Sequence, residues 1–165
     1  MKRSTPSGPP KSPKKPGGST TSWTIPQPTD VISYVYLWSH EAAAGRDEGS
    51  KERPVVVVLA TQKRSHGTEV VVVPVTTKEP RSGSASAAVE MPERVRRHLG
   101  LGDERCWIIA EEVNLFTWPG PDIRPVRRVG EPSPFYGKIP ARLFEQVRAK
   151  LTEAAGRLKV TKRTA

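Results

Sequence analysis

Two runs of valine constrain the fold of this chain more than any other feature. Residues 55–58 are four consecutive valines and residues 70–73 are four more, with a polar break at 61–68 between them. Such β-branched side chains are stiff and favour the extended backbone. A strand that is almost continuously apolar is covered on both faces. The break is rich in charged and small residues, which suits an exposed turn, so the pattern predicts a hairpin of two antiparallel strands.

Two prolines define the far end of this hairpin. Pro54 lacks an amide hydrogen and therefore suits the first residue of a strand, whereas Pro74 must lie at a bulge or a sheet edge. Arg53 then stands at the start of the first strand and Thr76 at the end of the second. Because antiparallel strands bring these two ends together, we expect the two side chains to lie side by side.

The charge distribution divides the chain into a domain and two tails. Residues 1–29 hold seven prolines, five basic residues and no acid, and residues 157–165 hold four basic residues and no acid, so the net charge of +10 belongs mostly to the ends. We expect a disordered basic tail rich in Pro, Ser and Gly at 1–29, one folded domain at 30–156, and a basic C-terminal tail at 157–165. Basic tails are attracted to polyanions.

The rest of the domain reads as short strands and two helices. Pro92 and Gly100 bracket a short helix at 93–99, and Pro140 begins a final helix that extends to about residue 158 with its apolar positions on one face. Besides the hairpin, strands are expected at 31–38, 87–91, 106–113 with an extension to 116, and 123–129, with loops at 40–52, 78–88 and 130–138. About five strands without crossover helices predict a mainly β fold, a small antiparallel barrel with few helices.

The composition also excludes several classes of protein. Cys106 is the only cysteine, which forbids an intrachain disulfide, and no two histidines have metal-ligand spacing. No segment approaches the roughly 20 apolar residues of a membrane helix, and the basic N-terminus lacks the apolar segment of a secretory signal. We therefore expect a cytoplasmic protein that uses no metal and no cofactor and does not bind membranes.

One ordered series of residues resembles a known family. Glu48 is followed after four residues by Arg53-Pro54, then by an apolar strand, and then by Val-Pro-Val-Thr-Thr at 73–77. This series resembles the MazF/PemK/Kid toxins, in which an acidic loop residue precedes an Arg-Pro that opens the second strand, and a Pro-hydrophobic-Thr-Ser/Thr segment closes the third. Asp30-Val31 resembles the family's opening Gly-Asp-hydrophobic, with Thr29 in place of the glycine.

The resemblance covers roughly residues 30–155, with three departures. Residues 106–113 are similar to a later strand of the family, but Asn114 stands where the family has a basic residue. The N-terminal tail and the Trp-Pro-Gly-Pro-Asp turn at 118–122 are absent from the family pattern. What the resemblance implies is a Src-homology-3-like barrel of the CcdB/PemK type that forms a homodimer. It further implies a toxin of a type II toxin–antitoxin system, a sequence-selective, metal-independent endoribonuclease on single-stranded RNA, blocked by a cognate antitoxin.

The chemistry of such cleavage assigns roles to the candidate residues. The RNA 2′-hydroxyl attacks the adjacent phosphate, which requires a base, an acid, and donors that hold the charge at phosphorus. Arg53 supplies a planar fork of donors, and Thr76 supplies a hydroxyl for a non-bridging oxygen. Glu48 could orient Arg53 or act as the base, and the sequence does not choose between these roles.

Four residues complete the candidate site as RNA-binding or supporting groups. His40 could serve as a general base, since imidazole exchanges protons near neutral pH. Trp118, or alternatively Trp38, could stack an RNA base. Thr77 and Glu48 are included because they belong to the series of residues that resembles the toxin family. Two alternatives remain open: a non-catalytic nucleic-acid-binding barrel that uses its basic tails, and a gyrase-poisoning toxin of the same fold.

Overall fold

The computed structural model describes residues 23–64, 67–83 and 85–163. In this part of the chain the strands are β1 (Asp30–Val35), β2 (Glu52–Lys63), β3 (Gly67–Thr76), β4 (Ala88–Glu90), β5 (Trp107–Ile109), β6 (Glu112–Trp118), β7 (Phe135–Lys138) and β8 (Lys159–Lys162). The α-helices are α1 (Ser39–Ala43), α2 (Glu93–Leu99) and α3 (Ala141–Glu153). None of these helices is long and apolar enough to cross a membrane.

The β2–β3 hairpin is the centre of the sheet, as the valine runs predict. The two strands pair antiparallel from Val55 opposite Pro74 to Lys63 opposite Gly67, with a register shift beside Val57. Val56 packs in one buried cluster while Val55 and Val57 pack in the other, so both faces of the hairpin are covered. The predicted polar break at 61–68 is too long, because both strands continue almost to the tip, with residues 61–63 of β2 exposed and Thr68 of β3 buried. Residues 65 and 66 of that tip lie outside the described residues.

The remaining strands extend the hairpin on both sides. β1 pairs with β2 and β7, while the other edge of β3 pairs first with β6 and then with β5, which continues to β4. All pairings are antiparallel except that of β6 with β8, which is parallel. The mainly antiparallel architecture with few helices is confirmed. The described part of the chain has eight strands instead of about five, and they form one sheet that is not closed.

Several predicted elements differ in detail. The single strand expected at 106–113 is two strands, β5 and β6, which pair with different stretches of β3 and are separated by a turn at Ala110-Glu111. The strand expected at 123–129 is wrong: only Ile123 makes an isolated bridge to Tyr34, and Pro125 follows it closely. β7 lies in the expected loop at 130–138, and α1 lies in the expected loop at 40–52.

Both predicted boundaries between the domain and its tails differ from the structure. On the N-terminal side, the Thr29 amide donates to the Val57 carbonyl at 3.0 Å, and the Trp23 indole donates to the Pro132 carbonyl at 3.3 Å, so the folded domain begins before residue 30. Residues 1–22 of that tail lie outside the described residues. The C-terminal tail expected at 157–165 is wrong for its described part, because Lys159–Lys162 form β8 beside β6.

Thr29 has an unusual backbone conformation. Its φ is 84°, and it is the only non-glycine residue with positive φ in the described part of the chain. A β-branched residue in this region is strained, whereas glycine adopts it freely. The family that this chain resembles has glycine at the position of Thr29. The backbone conformation of Thr29 is one that favours glycine in this chain too.

Candidate active site

Arg53 and Thr76 lie next to each other at the open end of the β2–β3 hairpin. Val55 pairs with Pro74, and continuing that register by two residues places Arg53 opposite Thr76. The Arg53 Nη1 atom donates to the Val75 carbonyl at 3.4 Å, which ties the guanidinium to the end of β3. Both side chains are half-buried. The structure therefore brings this predicted pair together at an accessible surface.

The Arg53 guanidinium lies on an aromatic face. Its central carbon is 5.1 Å from the centre of the Trp38 ring, a cation–π arrangement. Burial lowers the pKa of Arg53, and the nearby Glu41 carboxylate opposes that effect. The contact with Val75 is the one hydrogen bond that this guanidinium makes to the described residues, and its buried Nε has no partner there. Donors at the tip of Arg53 thus remain available for an anion.

Thr76 is positioned to donate a hydrogen bond. Its Oγ1 accepts from the Lys78 amide at 3.1 Å, so the hydroxyl proton points elsewhere. Thr76 lines a cavity of about 260 Å³ together with Trp38, His40 and Glu112, which we call the cleft. It also lines a second cavity of about 210 Å³, the connecting cavity, whose lining includes the exposed Thr77.

His40 belongs to the same cleft. It is exposed in the first turn of α1, and its ring stacks on Trp38 at 6.4 Å between centres and 25° between planes. Trp38 is thus flanked by His40 and Arg53. The structure places an imidazole and a threonine hydroxyl in one cleft, and the Arg53 guanidinium borders that cleft through its contact with Trp38. Together these groups can exchange protons and hold a phosphate.

Glu48 is not part of this arrangement. It is exposed, and its charge acts on Asp122, whose pKa is raised by burial and also by Glu48. The carboxylate that acts on Arg53 is Glu41 in α1. Glu41 is buried and accepts hydrogen bonds from the Trp38 amide at 3.0 Å and the Ser50 hydroxyl at 2.8 Å. Burial disfavours its charge, but these hydrogen bonds and the Arg46 charge outweigh it and lower the pKa of Glu41.

Trp118 is not brought to the site either. It is 6% exposed and pairs with Thr68, near the opposite end of β3 from Thr76. Its ring packs in the buried cluster with Phe116 and Phe135. The aromatic residue at the site is Trp38, the alternative that the sequence also offers.

Glu112 is a functional candidate that the sequence analysis missed. It is 6% exposed, yet it lines the cleft. Its carboxylate accepts from the Ser39 amide at 2.9 Å, the Ser39 hydroxyl at 3.2 Å and the Tyr36 hydroxyl at 3.2 Å. These bonds fix the start of α1 and with it the position of His40. Burial raises the pKa of Glu112 despite these hydrogen bonds.

Glu112→Gln is expected to stabilise the protein at about pH 8. A carboxyl whose pKa is raised in the folded state binds more protons there than in the unfolded chain, so its contribution to stability falls as pH rises. The amide keeps an oxygen for the Ser39 amide and removes the buried charge. Thermal unfolding should show a higher melting temperature for the variant at about pH 8 and a smaller difference at about pH 5. Asp103→Asn, which removes the charge of an exposed carboxylate, serves as the control, and an equal gain from both variants would contradict this account.

Solved structures of other proteins share the fold of this chain. Solved structures that match the chain include an endoribonuclease in complex with its cognate antitoxin from Mycobacterial species, at 15% identity and a TM-score of 0.51, covering 80% of this chain and 96% of that one. Another is the MazE–MazF complex from Deinococcus radiodurans, at 16% identity and a TM-score of 0.51, covering 81% and 98%.

The chain has the MazF fold. No protein-family model matches the chain, and no curated protein sequence matches it either. The likeness to these structures is therefore one of backbone architecture across most of the chain. Among the described residues, no cluster of three or more His, Cys, Asp or Glu is placed to hold a metal ion.

Proposed function

We propose that this chain is the toxin of a toxin–antitoxin pair and that it cleaves single-stranded RNA by attack of the substrate's own 2′-hydroxyl. The main support for this proposal is that Arg53 and Thr76 lie next to each other beside the cleft. The MazF fold supports it, because the matching structures include an endoribonuclease with its cognate antitoxin and a MazE–MazF complex.

In the proposed mechanism, the scissile phosphate lies against Arg53 and Thr76. The 2′-oxygen forms a bond to phosphorus while the bond from phosphorus to the 5′-oxygen breaks. Arg53 stabilises the charge that develops on the non-bridging oxygens, and the Thr76 hydroxyl donates a hydrogen bond to one of them. The products are a 2′,3′-cyclic phosphate and a 5′-hydroxyl.

In the proposed step His40 accepts the proton of the attacking 2′-hydroxyl, and the departing 5′-oxygen takes a proton from solvent water. His40 is exposed in the cleft and held against Trp38, and imidazole can both accept and donate a proton near neutral pH. Glu48, the other candidate base, lies away from Arg53 and drops out of the mechanism. Glu41 is a positioning residue, because its buried carboxylate acts on the Arg53 charge. Thr77 borders the connecting cavity and is placed to contact a neighbouring nucleotide.

The proposal is tested by incubating the purified full chain with a mixed-sequence single-stranded RNA in the presence of EDTA. We expect cleavage that leaves 2′,3′-cyclic phosphate ends, because the attacking group is the 2′-hydroxyl. A matched strand in which every 2′-hydroxyl is methylated should remain intact. Cleavage of the methylated strand, or none of the RNA strand by folded protein, would exclude this mechanism.

The partners follow from the same proposal. We propose that the toxin is a homodimer and that a cognate antitoxin covers the cleft. A small acidic open reading frame immediately upstream of the gene is the expected source of that antitoxin. Co-expression of the two should yield a complex in which RNA cleavage is suppressed.

A further inference from the structure

A basic pocket lies at the C-terminal end of α2, outside the cleft. It has a volume of about 520 Å³, and its lining includes Arg97, His98, Arg127, Arg128 and Tyr136. The one acid in its lining is Glu52, and Arg97 is paired with Glu93 outside the lining, so the positive charges without a salt bridge to a described residue are those of Arg127 and Arg128. The lining comes from four separate parts of the fold: the start of β2, the end of α2, the loop before β7, and β7 itself.

Arg128 is held in place without a carboxylate partner. Its Nη2 donates to the Leu99 carbonyl at 3.1 Å, and its guanidinium lies 5.8 Å from the centre of the Tyr136 ring. A Cβ on Gly100 would lie 3.2 Å from the same Nη2, so glycine makes room for this arginine. Within the described part of the chain, neither Arg127 nor Arg128 forms a salt bridge. A positioned and uncompensated guanidinium is suited to an external anion.

The basic pocket is continuous with the proposed active site. Gly100 and Tyr136 line both the basic pocket and the connecting cavity, and Thr76 lines both the connecting cavity and the cleft. The three cavities are therefore neighbours along one path, in which Thr76 lies between the cleft and the connecting cavity. Aromatic faces occur towards each end of the path, Trp38 in the cleft and Tyr136 at the basic pocket. Alternating cations and aromatic rings are what a single nucleic-acid strand requires, because phosphates bind the cations and bases stack on the rings.

We propose that the basic pocket binds the phosphodiester backbone of the same RNA strand, away from the scissile bond, through Arg127 and Arg128. This inference rests on the proposed function, since it takes the Arg53–Thr76 pair as the point of cleavage. A nucleic acid is favoured over an acidic peptide because the path begins at a phosphate site and runs past an aromatic ring at each end. The pocket adds affinity and sets which side of the cleavage point must carry further nucleotides.

The test is binding of a 2′-O-methylated single-stranded RNA, which cannot be cleaved by 2′-hydroxyl attack. Fluorescence anisotropy is measured at several salt concentrations with the full chain and with the double variant Arg127→Gln/Arg128→Gln. Each phosphate contact to a single strand contributes about 0.7 to the slope of log affinity against log salt, so the slope should fall by about 1.4 and the affinity by roughly tenfold at low salt. The control is Arg94→Gln/Arg142→Gln, which removes the same charge from a groove outside this path.

The possible outcomes distinguish RNA binding at the basic pocket from RNA cleavage at Arg53 and Thr76. Since the probe is inert to the proposed reaction, binding is measured whether or not the protein cleaves RNA. A double variant that binds like the wild type, or that loses no more affinity than the control variant, would overturn the proposal. So would a wild-type protein that does not bind the strand, even if it cleaves RNA or binds an acidic antitoxin peptide. The basic N-terminal segment 1–22 is the same in all three proteins, so its contribution cancels.

Discussion

Arg53→Ala is expected to lower the rate of RNA cleavage by about 10²–10³-fold or more, because removing one preorganised donor from a transition-state oxyanion has an effect of that size. In cells the same variant should no longer arrest growth. The fold should survive the change. Arg53 is half-buried at the start of β2, makes one long hydrogen bond, and loses a cation–π contact of about 1 kcal/mol.

A matched control is available on the same molecule. Arg105 lies 5.0 Å from the centre of the Trp107 ring, so it repeats the cation–π contact of Arg53 with Trp38 outside the cleft, and it differs from Arg53 in that it also pairs with Glu90 at 2.7 Å. Arg105→Ala should therefore leave the cleavage rate unchanged. Arg53→Lys keeps the charge but loses the planar fork, and should retain part of the activity. If Arg53→Ala cleaves RNA as fast as Arg105→Ala, Arg53 is not at the reacting phosphate.

The position of the Arg53–Thr76 pair could be predicted because it depends on local information. Two valine runs define two strands and a polar segment between them defines a hairpin, so the ends that carry Arg53 and Thr76 come close together. The exact pairing also depends on the register shift beside Val57, because the register at the hairpin tip would place Arg53 opposite Thr77. The helix α2 could be predicted for the same reason, since Pro92 begins it and Gly100, with φ of 72°, ends it.

The rest of the site depends on contacts between distant parts of the chain. Glu112 reaches α1 through Ser39, 73 residues away, and no spacing in the sequence indicates that contact. Glu41 replaces Glu48 beside Arg53 because residues 39–43 turn into a helix instead of continuing as a loop. The basic pocket likewise combines α2 with a loop about 30 residues later, so its arginines look unrelated in the sequence.

The C-terminal segment shows most clearly why the domain boundary could not be predicted from composition. Residues 157–165 contain four basic residues and no acid, which is typical of a solvated tail. One of these charges is not solvated: the side chain of Arg163 is 4% exposed and pairs with Asp122 at 3.0 Å. A buried partner that is far away in the sequence converts a tail into a strand, and only the structure reveals that partner.

Arg163 closes the C-terminal end of the fold. Its Nη1 donates to the Val35 carbonyl at 2.8 Å and to the Asn114 side-chain oxygen at 3.2 Å, and its guanidinium lies 5.7 Å from the centre of the Tyr34 ring. Burial raises the pKa of Asp122, and Arg163 opposes that effect. The arginine therefore joins β8 to β1 and β6 and compensates a buried carboxylate.

Arg163→Ala is expected to lower the free energy of unfolding by about 3–5 kcal/mol, since removing one partner of a buried ion pair leaves the other charge uncompensated. Urea unfolding at neutral pH measures this loss. Lys162→Ala is the control, because Lys162 is exposed on the same strand and its removal should change stability by less than about 0.5 kcal/mol. A loss for Arg163→Ala no larger than for Lys162→Ala would mean that the C-terminal strand does not dock as described.

The cause of that loss can be separated from simple loss of packing. Without Arg163 the pKa of Asp122 should rise further, and a carboxyl with a raised folded-state pKa destabilises the protein increasingly as pH rises through that range. The deficit of Arg163→Ala should therefore shrink as the solution is acidified. The double variant Arg163→Ala/Asp122→Asn should recover part of the stability at neutral pH, because the uncompensated charge is gone while the lost contacts to Val35 and Asn114 remain lost. Equal stability of the single and double variants across this pH range would show that packing and hydrogen bonds, and not the buried charge of Asp122, account for the effect of Arg163.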